Sequence, residues 1–180
     1  MNQHTTAPGV LVRVRRDSDL AEAAQGLGVV HVTDGYPMEE VGDPVGWLSP
    51  PGMVGAWVAE LEGRVVGHVA VTRGGTHEVA VRMWVERSGA DPGEVDVLAR
   101  LFVVPEGRGH AAGAALVAAA TADARARGMR LVLDVLSKDA AAIRLYRHLG
   151  WAELGSVVHE FASGPVDALC FVSPEGRTTS

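Results

Sequence analysis

"VVPEGRGHAAGAALV" spans Val103 to Val117. A β-branched pair runs into Pro105, which cannot donate to a ladder, so a strand ends there. An alanine-rich helix begins near Ala112. Between them stand Arg108, glycines and a histidine, an arrangement that strand–helix packing does not require. The first turn of a helix has unpaired N–H groups and the positive end of the dipole. Small residues let an anion approach those groups, and Arg108 adds a charge-assisted contact. Arg108, Gly109, His110, Ala111, Ala112, Gly113 and Ala114 therefore read as a diphosphate cradle. The plainer alternative is a glycine-rich turn packed against a neighbour. No G-K-[ST] follows, so this is not a Walker loop. The spacing is also wrong for the dinucleotide fingerprint.

Outward from that stretch, "EVDVLARLFVV" (Glu94 to Val104) is a mostly apolar run suited to the centre of a sheet. The helix after the cradle ends at Gly128, and "LVLDVL" (Leu131 to Leu136) is a second buried strand. Strand–helix–strand in that order implies a parallel crossover. "DAAAIRLYRHLGW" places Ala142, Leu145, Tyr146 and Leu149 on one helical face, with Asp139 as cap and Gly150 as stop. Towards the N-terminus, Val10 to Arg16 alternates as a strand. A helix over Leu20, Ala23, Ala24 and Leu27 follows, capped by Asp17 or Ser18. "AWVAELEGRVVGHVAVTR" is a hairpin turning at Glu62-Gly63. Glu78 to Gly89 has helical spacing, and "WAELGSVVHEFA" with "VDALCFVS" forms a closing strand pair. His31 to Gly55 reads as a long loop with a short helix, carrying Asp34, Glu39, Glu40 and Asp43. The expected fold class is α/β: one mixed sheet flanked by helices. A single domain is expected over 10–173, with disordered tails at 1–9 and 174–180.

The bulk composition narrows the function classes. The 180 residues, 47% hydrophobic, suit one domain with a full core. No segment approaches about 18 uninterrupted apolar residues, and the N-terminus lacks a secretory pattern, so a cytoplasmic setting is expected. Cys170 is the single cysteine and lies in "ALCFV", which suits a buried thiol better than a nucleophile. With net charge −6 and no basic block, neither nucleic acid nor membrane is an expected partner. Lysine occurs once among the 16 basic residues, a skew that reads as GC-rich coding and a bacterial source. No metal site is expected.

The motif "RLFVVPEGRGHAAGAAL", followed by "DAAAIRLYRHLGW", resembles the GNAT superfamily of acetyl-CoA-dependent N-acetyltransferases. Arg108, Gly113, Ala142, Leu145, Tyr146 and Gly150 fall on the family's motif positions. The resemblance is good over Ala56 to Glu153 and poor over the first 55 residues. Three positions depart from the pattern. Ala111 replaces a glycine and is expected to have φ < 0. Asp139 replaces an asparagine, and Trp151 a phenylalanine.

The resemblance implies a strongly twisted sheet splayed at its centre. It implies acetyl-CoA as co-substrate, no metal, and direct attack of an amine on the thioester. Leu101, Phe102 and Val103 would line the pantetheine arm, and a backbone N–H near Phe102 or Val103 would face the thioester oxygen. Asp139 and Tyr146 would also contact the cofactor, and Tyr146 would be the general acid, while its place on the apolar face of its helix suits core packing as the alternative. The family's strand glutamate maps to Val97. Asp96, one residue off, is kept as a candidate base if a bulge turns it inward, with His68 and His110 behind it. A water chain could serve instead. A catalytically silent acyl-CoA-binding regulator, or an acyltransferase with another acyl group, stays open as the alternative. The expected acceptor is a primary amine of a small molecule or peptide; the acids before the hairpin would favour a cationic one, or are equally surface charges. A homodimer is left open.

Overall fold

The computed structural model describes residues 9–176. The tails expected at 1–9 and 174–180 lie outside that range except for residues 9 and 174–176. Among the described residues, seven strands form one mixed sheet. They are β1 (Leu11–Val14), β2 (Met53–Leu61), β3 (Arg64–Arg73), β4 (Val95–Val103), β5 (Arg130–Leu136), β6 (Ala152–Phe161) and β7 (Gly164–Val172). Their spatial order is β1-β2-β3-β4-β5-β7-β6. The helices are α1 (Leu20–Asp34), α2 (Pro44–Trp47), α3 (Val79–Ser88), α4 (Ala112–Ala126) and α5 (Ala140–His148).

Each expected element is present, and the differences have local causes. Helix α1 runs on to Asp34 and stops at Gly35, which takes the left-handed conformation with φ 67°. Neither Asp17 nor Ser18 caps it. Asp19 does the work at this end: its carboxylate accepts from the Arg16 N–H at 2.7 Å and from the Arg13 guanidinium at 2.8 and 2.9 Å. The β2–β3 turn needs positive φ at both central residues, and Glu62 (51°) and Gly63 (79°) supply it.

Alternation along β4 sends Leu98 and Phe102 to one face and Val95 and Val97 to the other. The first face packs with α1, α4 and the buried Ile143 and Tyr146 of α5. The second packs beneath Ala80 and Val81 of α3 with Val132, Cys170 and Val172. Cys170 is buried, and burial pushes its thiol up to about 11.

The centre of the sheet is where the fold makes room. Strands β4 and β5 pair in parallel only from Val95↔Arg130 to Val97↔Val132. Beyond that point β4 stays with β3 while β5 stays with β7, so the two part like a V. A bulge in β4 accompanies the split. Between His68↔Phe102 and Ala70↔Ala99, Val69 of β3 faces both Arg100 and Leu101. Arg100 there has φ 58°, a left-handed conformation that is uncommon outside glycine.

Candidate active site

The split opens into a cavity of about 1570 Å³. One wall is β4 from Val97 to Val103, and the facing wall is β5 from Leu133 to Leu136. Arg108 and Gly113 of the cradle lie at one lip, and Asp139 to Ala142 of α5 lie across from them. The loop from Tyr36 to Gly42, together with Trp47, also lines the cavity.

The backbone of β4 decides what the cavity can bind. The Val104 N–H donates to Val66 O at 2.9 Å, on the β3 side. Alternation turns Phe102 the same way and sends the N–H and C=O groups of Leu101 and Val103 towards the split. Of the two residues expected to offer an N–H, the geometry favours Val103. Phe102 instead packs its ring on His68, centroids 5.6 Å apart.

At the cradle, the chain makes a 3-10 turn over Pro105–Gly107, extends through Arg108 and enters α4. The expectation of φ < 0 at Ala111 is corrected: Ala111 is left-handed, at φ 57° and ψ 26°. The turn from Gly109 (φ 81°) must reverse before the helix can start, and Ala111 is the residue that does so. A left-handed residue followed by a helical one makes a concave nest of N–H groups, itself an anion site. The first backbone bond of α4 runs from the Ala115 N–H to Ala111 O at 3.0 Å, so Ala112, Gly113 and Ala114 precede it with their N–H groups open. A methyl added at Gly113 would lie 3.3 Å from Leu145 Cδ2, a tight contact that the leucine would have to give way to. The donor set therefore fits a diphosphate. His110 is exposed on the turn and is not part of the cavity wall.

Arg108 does not stand free at the lip. It is ion-paired with Asp34, and its Nε and Nη2 donate to Val103 O at 3.3 and 3.2 Å. The sequence reading had not linked Asp34 to Arg108, because 74 residues separate them. Asp139 occupies the N-cap position of α5 without a side-chain cap bond, and burial holds its carboxyl above the ordinary range. Tyr146 packs on Trp151 and Phe171, with ring centroids at 5.4 and 6.0 Å, and also reaches the cavity. Burial pushes its phenol above the usual value, so it keeps its proton at neutral pH.

The candidate bases fare differently. Asp96 is 2% exposed, shares the face of Leu98 and is ion-paired with Arg127 beyond α4 at 2.8 Å. The bulge falls at Arg100 and Leu101, too far along β4 to turn Asp96 inward, and Asp96 is not on the cavity wall. His68 is fully buried with both ring nitrogens engaged. Arg15 can only donate, so its 2.9 Å contact makes Nε2 an acceptor, and Nδ1–H donates to Arg100 O at 3.0 Å. Burial lowers the imidazole to about 4, so it is neutral. His68 braces the bulge and does not face the cavity. The cavity carboxylates that sequence reasoning passed over are Glu78, Asp134 and Glu160, joining Glu39 and Glu40 from the loop. Asp43 caps α2 instead, accepting from the Gly46 N–H at 3.0 Å.

The sheet is mixed and split at its centre, with the left-handed turn at Ala111 and the open N–H groups of α4 at one lip of the split. The model described as the Acetyltransferase (GNAT) family matches residues 21–151, and the chain belongs to that family. It is 33% identical over 108 residues to an uncharacterized N-acetyltransferase of Methanocaldococcus jannaschii. That match takes in 59% of this chain and spans less than half of the relative, 43%. Among solved structures, a putative acetyltransferase from Salmonella typhimurium with its cofactor acetyl-CoA superposes at a TM-score of 0.70, with 17% identity over 96% of this chain and 97% of that one. A ribosomal-protein-alanine N-acetyltransferase from Brucella melitensis gives 0.70, with 23% identity over 92% and 99%. NAA60 of Arabidopsis thaliana in complex with acetyl-CoA gives 0.70, with 18% identity over 91% and 97%. At these identities the likeness is one of fold.

Proposed function

We propose that the chain is an N-acetyltransferase that moves an acetyl group from acetyl-CoA to an amine by direct attack. The observation that carries this reading is the parting of β4 and β5 beyond Val97 and Val132, with the nest at Ala111–Ala114 at its lip. The nest and Arg108 hold the diphosphate. Leu101 offers backbone partners to the pantetheine arm, and the N–H of Val103, whose own C=O is held by Arg108, meets the thioester oxygen as it becomes anionic. Tyr146, protonated at neutral pH, gives its proton to the departing thiolate. Asp96 is withdrawn as the base, since a carboxylate held by Arg127 off the cavity wall cannot reach a bound amine. The amine proton leaves by water to the cavity carboxylates. An acyltransferase with a longer acyl group would use the same cleft.

The test is acetyl-CoA turnover, followed as free thiol against an amine panel, beside calorimetry of coenzyme A binding. Binding with amine-dependent thiol release is expected. Binding with no turnover by any amine or acyl donor would mark a silent acyl-CoA-binding domain. No binding at all would overturn the reading of the cleft.

A further inference from the structure

Arg100 is a cation without an anion. Its guanidinium lies over the Trp47 ring at 4.2 Å from the centroid, and Arg100, Trp47 and Tyr36 all line the cavity. Its Nε is the one buried side-chain nitrogen or oxygen without a hydrogen-bond partner among the described residues. No ion pair to Arg100 is formed among those residues either, whereas Arg108 is already held by Asp34. An arginine on an open surface could swing into water. This one is fixed at both ends, by a left-handed backbone that His68 braces and by the tryptophan face. Desolvating a guanidinium without a carboxylate partner is costly, and proteins seldom keep such an arrangement unless a ligand completes it. Burial lowers the Arg100 pKa, in keeping with that cost, while Tyr36 and Glu78 act on it only at a distance.

We propose that Arg100 is a specificity residue that binds a carboxylate on the acceptor, so that the acceptor is an amine carrying its own carboxylate, as free amino acids do. This rests on the acetyltransferase reading above. The planar fork of arginine suits a carboxylate through two parallel N–H donors. The cavity carboxylates Glu39, Glu40 and Glu78 suit the ammonium end of the same molecule. The cavity thus offers Arg100 and several anions to a zwitterion, in place of the purely cationic acceptor that the acids alone would favour; the other lining cations, Arg108 and Lys138, lie by Asp34 and Gly35.

The experiment compares the common amino acids with their carboxamides as acceptors, using the wild type and Arg100→Gln and Arg100→Lys. A charged hydrogen bond corresponds to about tenfold or more in kcat/KM. The wild type should prefer the free carboxylate by at least that factor, chiefly through KM. Arg100→Gln should erase the preference while binding coenzyme A normally, and Arg100→Lys should retain part of it. Thermal melting checks that each variant is folded. The inference is overturned by equal use of acid and amide, by a preference that persists in Arg100→Gln, or by failure to acetylate any amino acid while coenzyme A still binds. A preference for succinyl-CoA over acetyl-CoA that disappears in Arg100→Gln would place the carboxylate on the donor and also overturn it. Loss of coenzyme A binding in the wild type would instead sink the acetyltransferase reading itself.

Discussion

Two side chains carry opposed demands that single substitutions can separate. Tyr146 belongs both to the core, against Trp151 and Phe171, and to the cavity. Tyr146→Phe keeps the ring and removes only the hydroxyl. If the phenol is the acid, kcat should fall by about 10²-fold, the low end for general acid catalysis, with coenzyme A affinity nearly kept. A full-rate variant would leave thiolate protonation to water. Ala111 holds φ 57° with a Cβ, which costs an L-residue about 1–2 kcal/mol. Ala111→Gly removes that strain but adds freedom to the unfolded chain, so a net gain of up to about 1 kcal/mol is expected. At this chain length that is roughly 2–4 °C in Tm, read by calorimetry without ligand. A clear loss of stability would mean that the Ala111 methyl makes a contact worth more than the strain.

At the scale of elements, the bulge in β4 is held by a neutral histidine. Nδ1–H of His68 supports Arg100 O, and Arg15 donates to Nε2. Burial drops the imidazole from 6.5 to about 4. A base whose folded pKa lies below its unfolded one binds fewer protons in the native state. Its stabilising effect is complete above the unfolded pKa and is lost as pH falls from about 6.5 towards 4. The loss amounts to about 3 kcal/mol over that window, at about 1.4 kcal/mol per unit. Urea melts at pH 7 and pH 4.5 should show this loss in the wild type and much less of it in His68→Gln. Equal pH dependence in the two proteins would show that the ring titrates freely and that the bulge is held by something else.

For the whole molecule, the cleft joins parts of the chain that meet only when the sheet is complete: the end of α1, the cradle, and the two strands that part. Arg108 sits at that junction, bound to Asp34 on one side and to Val103 O on the other. Arg108→Ala should weaken coenzyme A binding by about tenfold or more, since a charge-assisted bond is lost. Its cost to the unliganded fold should be about 1 kcal/mol or less, because both partners are partly exposed. Coenzyme A at about 100 times its Kd should raise the wild-type Tm by roughly 5–10 °C through mass action. Unchanged affinity in Arg108→Ala, with the fold intact, would remove Arg108 from the diphosphate site.

The sequence by itself determined the element order, the parallel crossover around "VVPEGRGHAAGAALV" and the place of the turn into α4. Those features rest on local chemistry: Pro105 ends a strand, alanines build a helix, and glycines stop one. It also placed Asp96 on the face opposite Val97, because alternation along a strand is a local rule. Only the tertiary structure decided which groups meet. The Asp34–Arg108 pair spans 74 residues and the Arg127–Asp96 pair 31, and neither leaves a mark in either segment alone. The bulge at Arg100 arises because β4 must follow β3 while it leaves β5, a demand set by three strands at once. The left-handed Ala111 has the same kind of origin: the helix axis is fixed by packing on the sheet, and the turn before it takes whatever φ reaches that axis.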